Sequence, residues 1–160
     1  MKPIRTICYW GLILLFVAVS APAGETGGSL LSVDRLASWL KAYGEAWEAR
    51  DADRAARLFT ENANYQVTPF EQPHLGQQGI HAYWSGVTKD QRNVRFGSQV
   101  ISVTGDTGVA HWSAQFDVEP SKDRIELDGI FILDFDENGK CRRLREWWHL
   151  RSNSAGGEPE

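Results

Sequence analysis

Cysteine is nearly missing from this chain. Of its 2 cysteines, Cys8 lies in an apolar N-terminal run expected to be removed, which leaves Cys141 with no internal partner. A disulfide framework is excluded even in an oxidising compartment. Basic charge is also scarce: 17 Lys and Arg face 21 Asp and Glu, a net charge of −4, and loss of Lys2 and Arg5 makes it two units more negative. That balance excludes nucleic acid as a partner, because its affinity rests on basic residues neutralising phosphates, and it disfavours an anionic membrane surface. No His, Cys or carboxylate ligands converge at metal-site spacing. Neither a Gly-rich phosphate loop nor a nucleophile elbow is present. No metal or other cofactor is expected. An internal repeat and a low-complexity block are both lacking.

What is present begins with an export signal. Lys2 and Arg5 precede an apolar run from Ile7 to Val19, and Ala21-Pro22-Ala23 supplies the small-x-small pattern of a cleavage site. The run is short of the roughly 20 residues of a membrane span, so residues 1–23 are read as a signal peptide cut after Ala23. The alternative keeps them as an uncleaved anchor. The mature chain is then periplasmic or secreted, with no stable membrane anchor. Residues 24–30 read as a flexible leader, 31–151 as a single domain and 152–160 as a disordered tail.

Helices come first. Ser32 or Asp34 can cap a helix in which Leu36, Trp39, Leu40, Tyr43 and Trp47 recur at spacings of three and four, one apolar stripe. Asp51 or Asp53 starts a short second helix that buries Ala56, Leu58 and Phe59 and leaves through Thr60-Glu61-Asn62. A short strand over 64–68 stops at Pro69, and a third helix over 78–87 buries Ile80, Tyr83 and Trp84. Four strands follow as an antiparallel meander, 93–103, 109–118, 124–135 and 140–151. The fold class is α+β, with three helices packed on the apolar face of a curved antiparallel sheet.

The last hairpin carries the chemical clue. Asn138-Gly139 is the strongest short hairpin signal, because a type I′ turn needs positive φ at both positions. Closing it between Glu137 and Lys140 sets Phe135 opposite Arg142, Leu133 opposite Leu144, Phe131 opposite Glu146 and Gly129 opposite Trp148. Pairing Val118 with Ile125 sets Phe116 opposite Leu127, Ala114 opposite Gly129 and Trp112 opposite Phe131. Trp112, Phe131 and Glu146 then lie side by side, and Glu146 is the one charged group on an apolar face. The opposite face carries His111, Asp128, Arg143, Arg145 and His149, with Ile130, Ile132 and Trp147 among them, a surface for solvent or a second copy.

The motifs Trp47…Asp51-x-Asp53…Leu58-Phe59-Thr60-Glu61-Asn62-Ala63, Gly79-Ile80-x-x-Tyr83-Trp84 and Asp128-Gly129-x-Phe131…Asn138-Gly139-Lys140…Leu144-Arg145-Glu146-Trp147-Trp148 resemble the SnoaL-like branch of the nuclear transport factor 2-like superfamily. The similarity spans Leu36 to Leu150. It implies a cone-shaped half-barrel with a pocket between sheet and helices, and a homodimer. The fold hosts many activities, among them polyketide cyclases, ketosteroid isomerases, epoxide hydrolases and dehydratases. The Arg-x-Asp of limonene epoxide hydrolases falls on Trp112 and Ala114, with only the last-strand carboxylate retained as Glu146. Of the ketosteroid isomerase set, Tyr43 matches the first-helix Tyr. The base falls at Val67 or Thr68 and the later donor at Phe131, and neither matches. No known mechanism is reproduced in full.

A carboxylate among Trp112, Phe131 and Trp148 loses several kcal/mol of solvation unless paired, and burial raises its pKa toward the range useful for acid/base work near neutral pH. Glu146 is the candidate general acid/base, or else a structural carboxylate held by Tyr43, Tyr65 or an indole N–H, or one exposed at the mouth of the cone. Tyr43 is the candidate polarising donor, or a core ring. Trp47, Tyr65, Phe70, Trp84, Trp112, Phe131 and Trp148 form an aromatic wall for a small, largely apolar ligand, or a packed core; seven Trp favour the wall. The expected function is a cofactor-free isomerase, cyclase or hydratase acting on a small hydrophobic molecule. The alternative is a non-catalytic ligand-binding or dimerisation module.

Overall fold

The computed structural model describes residues 31–153. The expected signal peptide, its cleavage point, the leader and the tail beyond 153 lie outside the described residues. Ser32 is the cap of α1 (Val33–Ala49): its hydroxyl accepts from the Arg35 N–H at 3.1 Å, satisfying one amide the first turn leaves open. Leu36, Trp39, Leu40, Tyr43 and Trp47 are all buried, so the stripe faces the core as its spacing requires. Each such side chain stabilises the fold by about 1.5–3 kcal/mol. Arg50 at φ 56 turns the chain out of α1 by donating to Ala46 and Trp47 carbonyls. Asp51 caps α2 (Ala52–Ala56) through the Arg54 N–H at 2.9 Å.

The second helix is shorter than expected. It ends before Leu58, and Phe59 to Gln66 form β1. Thr60-Glu61-Asn62, read in the sequence as a helix exit, is thus strand. Cys141 N–H donates to the Leu58 carbonyl at 3.0 Å, and Phe59 pairs with Cys141. A long-range pairing overrides the local helical pattern here. Then come β2 (His74–Leu75), α3 (Gly76–Val87), β3 (Gln91–Thr104), β4 (Thr107–Val118), β5 (Asp123–Phe135) and β6 (Cys141–Asn153). The last strand runs two residues past the expected boundary at 151.

The six strands form one curved, unclosed sheet in the order β2-β1-β6-β5-β4-β3. The sheet is mixed where an antiparallel one was expected, because β1 lies parallel to β6. The meander leaves one edge of β6 open, and the chain leaving α2 runs along it in the same direction. The helices cover one face, as an α+β domain requires.

Two registers differ from expectation. The turn before β6 is a three-residue loop: Gly139 N–H donates to the Asp136 carbonyl at 3.1 Å and Lys140 N–H to Asp136 Oδ1 at 2.7 Å. Only Gly139, at φ 79, takes positive φ, and the Asp136 side chain stabilises this loop over a type I′ turn. Phe135 therefore faces Cys141 and not Arg142. An irregularity between Asp134 and Phe135 absorbs Arg142 as the extra residue, a β-bulge, and the two one-residue changes cancel. From Asp134 onward the expected pairs stand: Leu133 with Leu144, Phe131 with Glu146, Gly129 with Trp148.

In the β4–β5 hairpin Lys122, at φ 61, donates to the Val118 carbonyl at 2.7 Å and closes a loop two residues tighter than expected. Val118 faces Asp123, Phe116 faces Ile125, Ala114 faces Leu127, Trp112 faces Gly129 and Ala110 faces Phe131. A shift of two keeps every side chain on its expected face. It does change neighbours: the row through Glu146 is Ala110, Phe131, Glu146, and Trp112 lies one pair along.

Candidate functional site

Glu146 is 5% exposed, on the helix-covered side of the sheet and beside Phe131. Three tyrosines surround it from three elements. Tyr43 comes from α1, Tyr65 from β1 and Tyr83 from α3. The Tyr43 and Tyr65 hydroxyls are hydrogen-bonded at 2.8 Å, and Tyr65 hydrogen-bonds in turn to the Glu146 carboxyl. The result is a buried chain from Tyr43 through Tyr65 to Glu146. Burial pushes the Glu146 carboxyl up to about 8, with the Tyr65 hydrogen bond holding it back, and no cation contributes. Burial, then the charge of Glu146, raises Tyr43 and Tyr65 well above the ordinary phenol range, so both remain neutral donors. Burial raises Tyr83 as well, followed by Glu146 and Glu71.

Aromatic rings enclose this chain. Tyr43 stacks on Trp39 at 5.2 Å and meets Trp84 at 5.2 Å and Phe131 at 5.4 Å edge-on. Trp112 stacks on Phe131 at 4.9 Å with 14° between planes, and Trp47 touches both Trp84 and Trp112. These are the separations at which aromatic pairs attract. Six of the seven residues expected to form the wall are thus on the right face, but they are not equivalent. Trp47, Tyr65, Trp84, Trp112 and Phe131 are buried together. Trp148 is 36% exposed because β6 extends there beyond the helices, so it forms a lip and not a wall. Phe70 does not join them. It is 96% exposed, turned outward where its N–H donates to Thr68 Oγ1 in the loop forced by Pro69.

Two residues near the acid, His74 and Tyr83, are not among the site residues expected from the sequence. His74 pairs with Tyr65 across β1–β2 and stacks on Tyr83 at 4.3 Å, a pair that flanks Tyr65. Tyr83 had read as plain core. Tyr65, read as wall or as a holder of the Glu146 carboxylate, holds the central place in the hydroxyl chain. Its alternation with Ala63 on β1 was a signal for facing inward; that it meets Tyr43 required the sheet order. On the outer face His111 Nε2 hydrogen-bonds Asp128 Oδ2 at 2.9 Å, and His149 lies opposite Asp128 across β5 and β6.

Burial pushes the Cys141 thiol up and outweighs its hydrogen bond to the Arg143 carbonyl. Among the described residues no group of three or more His, Cys, Asp or Glu is placed to hold a metal ion. A groove of about 590 Å³ lies between Arg95, Ser113, Glu126, Asp128 and His149. It is open, away from the helices, and does not include Glu146. Among the described residues, Glu146 is the acid removed from water among neutral phenols, which makes it the candidate for acid/base chemistry.

Helices on one face of a curved, unclosed six-stranded sheet make a nuclear transport factor 2-like α+β cone fold. The family model for the SnoaL-like domain matches residues 40–144, and the chain belongs to that family. A search of curated proteins gave no match. Among solved structures, a Bacillus subtilis protein described as a candidate isomerase is similar at TM-score 0.65 and 18% identity, over 72% of this chain and 87% of its own. A Catenulispora acidiphila protein with a ketosteroid isomerase-like fold, in complex with trimethylamine, is similar at 0.61 and 12%, over 68% and 83%. SalBIII, an epoxide hydrolase/cyclase-like enzyme of pyran ring formation in the polyether salinomycin, is similar at 0.61 and 15%, over 73% and 92%. At these identities the likeness concerns the fold.

Proposed function

We propose that the domain holds a small, largely apolar molecule in its cone and that Glu146 acts on it as general acid/base without a cofactor. The observation that carries this reading is the carboxyl pushed up to about 8 inside an aromatic enclosure and linked to two neutral phenols. A group with that pKa is mostly protonated at pH 7 and still gives up its proton readily, the condition for efficient acid/base catalysis. Tyr65 orients the carboxyl, and Tyr43 polarises through it. Isomerisation, cyclisation and hydration each need one proton delivered and one removed, so all three suit this site. A thermal-shift screen of the chain against lipophilic lactones, epoxides, enones and steroids finds the class, since a ligand that binds only the folded state raises its melting point. With that class as substrate, Glu146→Gln is expected to abolish turnover and retain binding. Undiminished turnover rejects the acid/base role.

The interlocked rings favour a second reading, a binding module in which Glu146 recognises a polar group and no reaction follows. It predicts altered affinity in Glu146→Gln and no turnover in the wild type. The exposed Trp147 and its neighbours Ile130 and Ile132 on the outer face suit a homodimer under either reading. Light scattering over a dilution series tests it, and a monomer throughout rejects it. We also read residues 1–23 as an export signal. The intact mass of exported protein should correspond to cleavage after Ala23.

A further inference from the structure

A free strand edge is a docking surface, because its unpaired backbone N–H and C=O groups accept another strand, and natural sheets blunt such edges. The two ends of this sheet are blunted. At one end β2 is only two residues long. At the other, β3 is interrupted between Arg92 and Arg95 and again between Val100 and Ser102, and Glu48 Oε1 accepts the Phe96 N–H at 3.0 Å. A further free edge lies within the strand order. β1 pairs with β6 only as far as Gln66 opposite Arg145. There the Gln66 side chain donates to the Thr68 and Glu71 carbonyls at 2.6 and 2.7 Å, and Pro69 takes the chain out of the sheet. Among the described residues, no strand pairs with β6 on that side from Glu146 to Asn153.

Nothing blunts this stretch. Its register with β5 is unbroken from Arg143 to Asn153, so no bulge twists it away, and residues 146–153 contain neither Lys nor Pro. It is apolar instead. Every residue from Trp147 to Asn153 is exposed, Trp147 at 47% and Leu150 at 54%, with Trp148 between them. Trp148 and Leu150 share the face of Glu146, while Trp147, His149 and Arg151 share the other. This pattern is complementary to itself. When two such strands pair antiparallel about His149, Trp148 faces Leu150 of the second copy and Trp147 faces Arg151 of the second copy, each twice by symmetry. The first contact is apolar. The second sets an indole beside a guanidinium already paired with Glu126, an attractive combination, and no two arginines meet. Pairing about Leu150 would instead set His149 against Arg151.

We infer that β6 joins a second copy of this chain edge to edge over Trp147–Arg151, antiparallel about a twofold axis, so that the two sheets run on into one. About five residues pair, an ordinary strand length. Ser152 and Asn153 stay outside the pairing, because β1 of the second copy already occupies the edge at Arg145. This surface differs from the outer-face patch of Ile130, Ile132 and Trp147. It also bears on the acid: Leu150 of the second copy covers Trp148, the lip of the Glu146 enclosure.

Backbone amide exchange of the ¹⁵N-labelled full chain, followed at rising protein concentration beside light scattering, tests this. Alternate amides of 147–151 point away from β5. They should exchange freely in the dilute monomer and slow by about tenfold or more as the dimer forms. Amides on the free side of β3 should not change. Leu150→Lys, at an exposed position, should weaken dimerisation about a hundredfold, a factor of about ten for each of its two contacts. A dimer whose 147–151 amides exchange as in the monomer overturns the inference and leaves the outer-face homodimer standing. A monomer at every concentration up to about 1 mM overturns both. Protection already complete at high dilution assigns the edge to residues 154–160 of the same chain, and it overturns the inference as well. The wild-type series decides even where the variant does not fold.

Discussion

Replacing Glu146 by Gln removes a proton that the folded chain keeps and the unfolded chain gives up. The ordinary value for a glutamate is 4.5, and burial raises Glu146 to about 8 in the folded protein. A group whose folded pKa is raised contributes stability that is fully present below the unfolded value and is lost as pH rises to the folded one. The wild type should therefore lose stability between pH 4.5 and about 8 from this group and level off above. Each pH unit in that window is worth about 1.4 kcal/mol, so the whole loss is about 5 kcal/mol, an appreciable part of the 5–15 kcal/mol of a typical domain. Gln matches the protonated carboxyl in shape and does not titrate. Urea unfolding of both proteins at half-unit steps from pH 4 to 9.5 isolates the effect, because every other titrating group cancels in the difference. The variant should gain on the wild type by about 1.4 kcal/mol per pH unit across the window and hold its advantage above it. A difference constant to within about 1 kcal/mol refutes the reasoning. It would mean that the carboxyl reaches water or finds a cation.

Three further outcomes are expected. Gly129→Ala places a Cβ 2.5 Å from the Trp147 carbonyl oxygen and 2.8 Å from Trp148 Cβ, where β6 backbone must shift, so it should cost about 1–3 kcal/mol in urea unfolding; an unchanged midpoint contradicts the close approach. Burial alone would raise Asp134, but hydrogen bonds from Thr107 and Arg143 and the charges of Arg143 and Arg145 hold it below the usual carboxylate range. Its stabilisation is present above the unfolded value of 3.8 and lost as pH falls through the lower folded one, so Asp134→Asn should flatten the acid limb below pH 4, and superimposable acid limbs would count against it. Phe70→Ser should change stability by less than about 0.5 kcal/mol, since the ring is almost fully exposed; a larger loss by thermal melt would mean that the ring packs.

Much of the fold could be read before any coordinates, because it depends on local periodicities. The α1 stripe from Leu36 to Trp47, the capping by Ser32 and Asp51, and the alternation that sets Leu144, Glu146 and Trp148 on one face are properties of neighbours in the chain. Face assignments survived a two-residue slip in the β4–β5 hairpin for the same reason: side chains alternate with period two, so an even error is invisible to burial. Neighbours across strands have no such protection. Trp112 therefore left the row of Glu146 for the place beside Gly129.

The sequence by itself determined that one carboxylate, Glu146, shares a sheet face with apolar and aromatic side chains, since side chains alternate with period two along a strand; its burial followed from the helices that cover that part of the face. Only the tertiary structure decided what meets it. Tyr43, Tyr65 and Tyr83 come from α1, β1 and α3, and they converge because β1 joins β6 in parallel, a long-range pairing that no local pattern encodes. The same assembly satisfied the indoles of Trp39 and Trp47 and left those of Trp84 and Trp112 without acceptors. Hydrogen bonding depends on distances of a few tenths of an ångström, and such distances are fixed by packing, not by spacing along the chain.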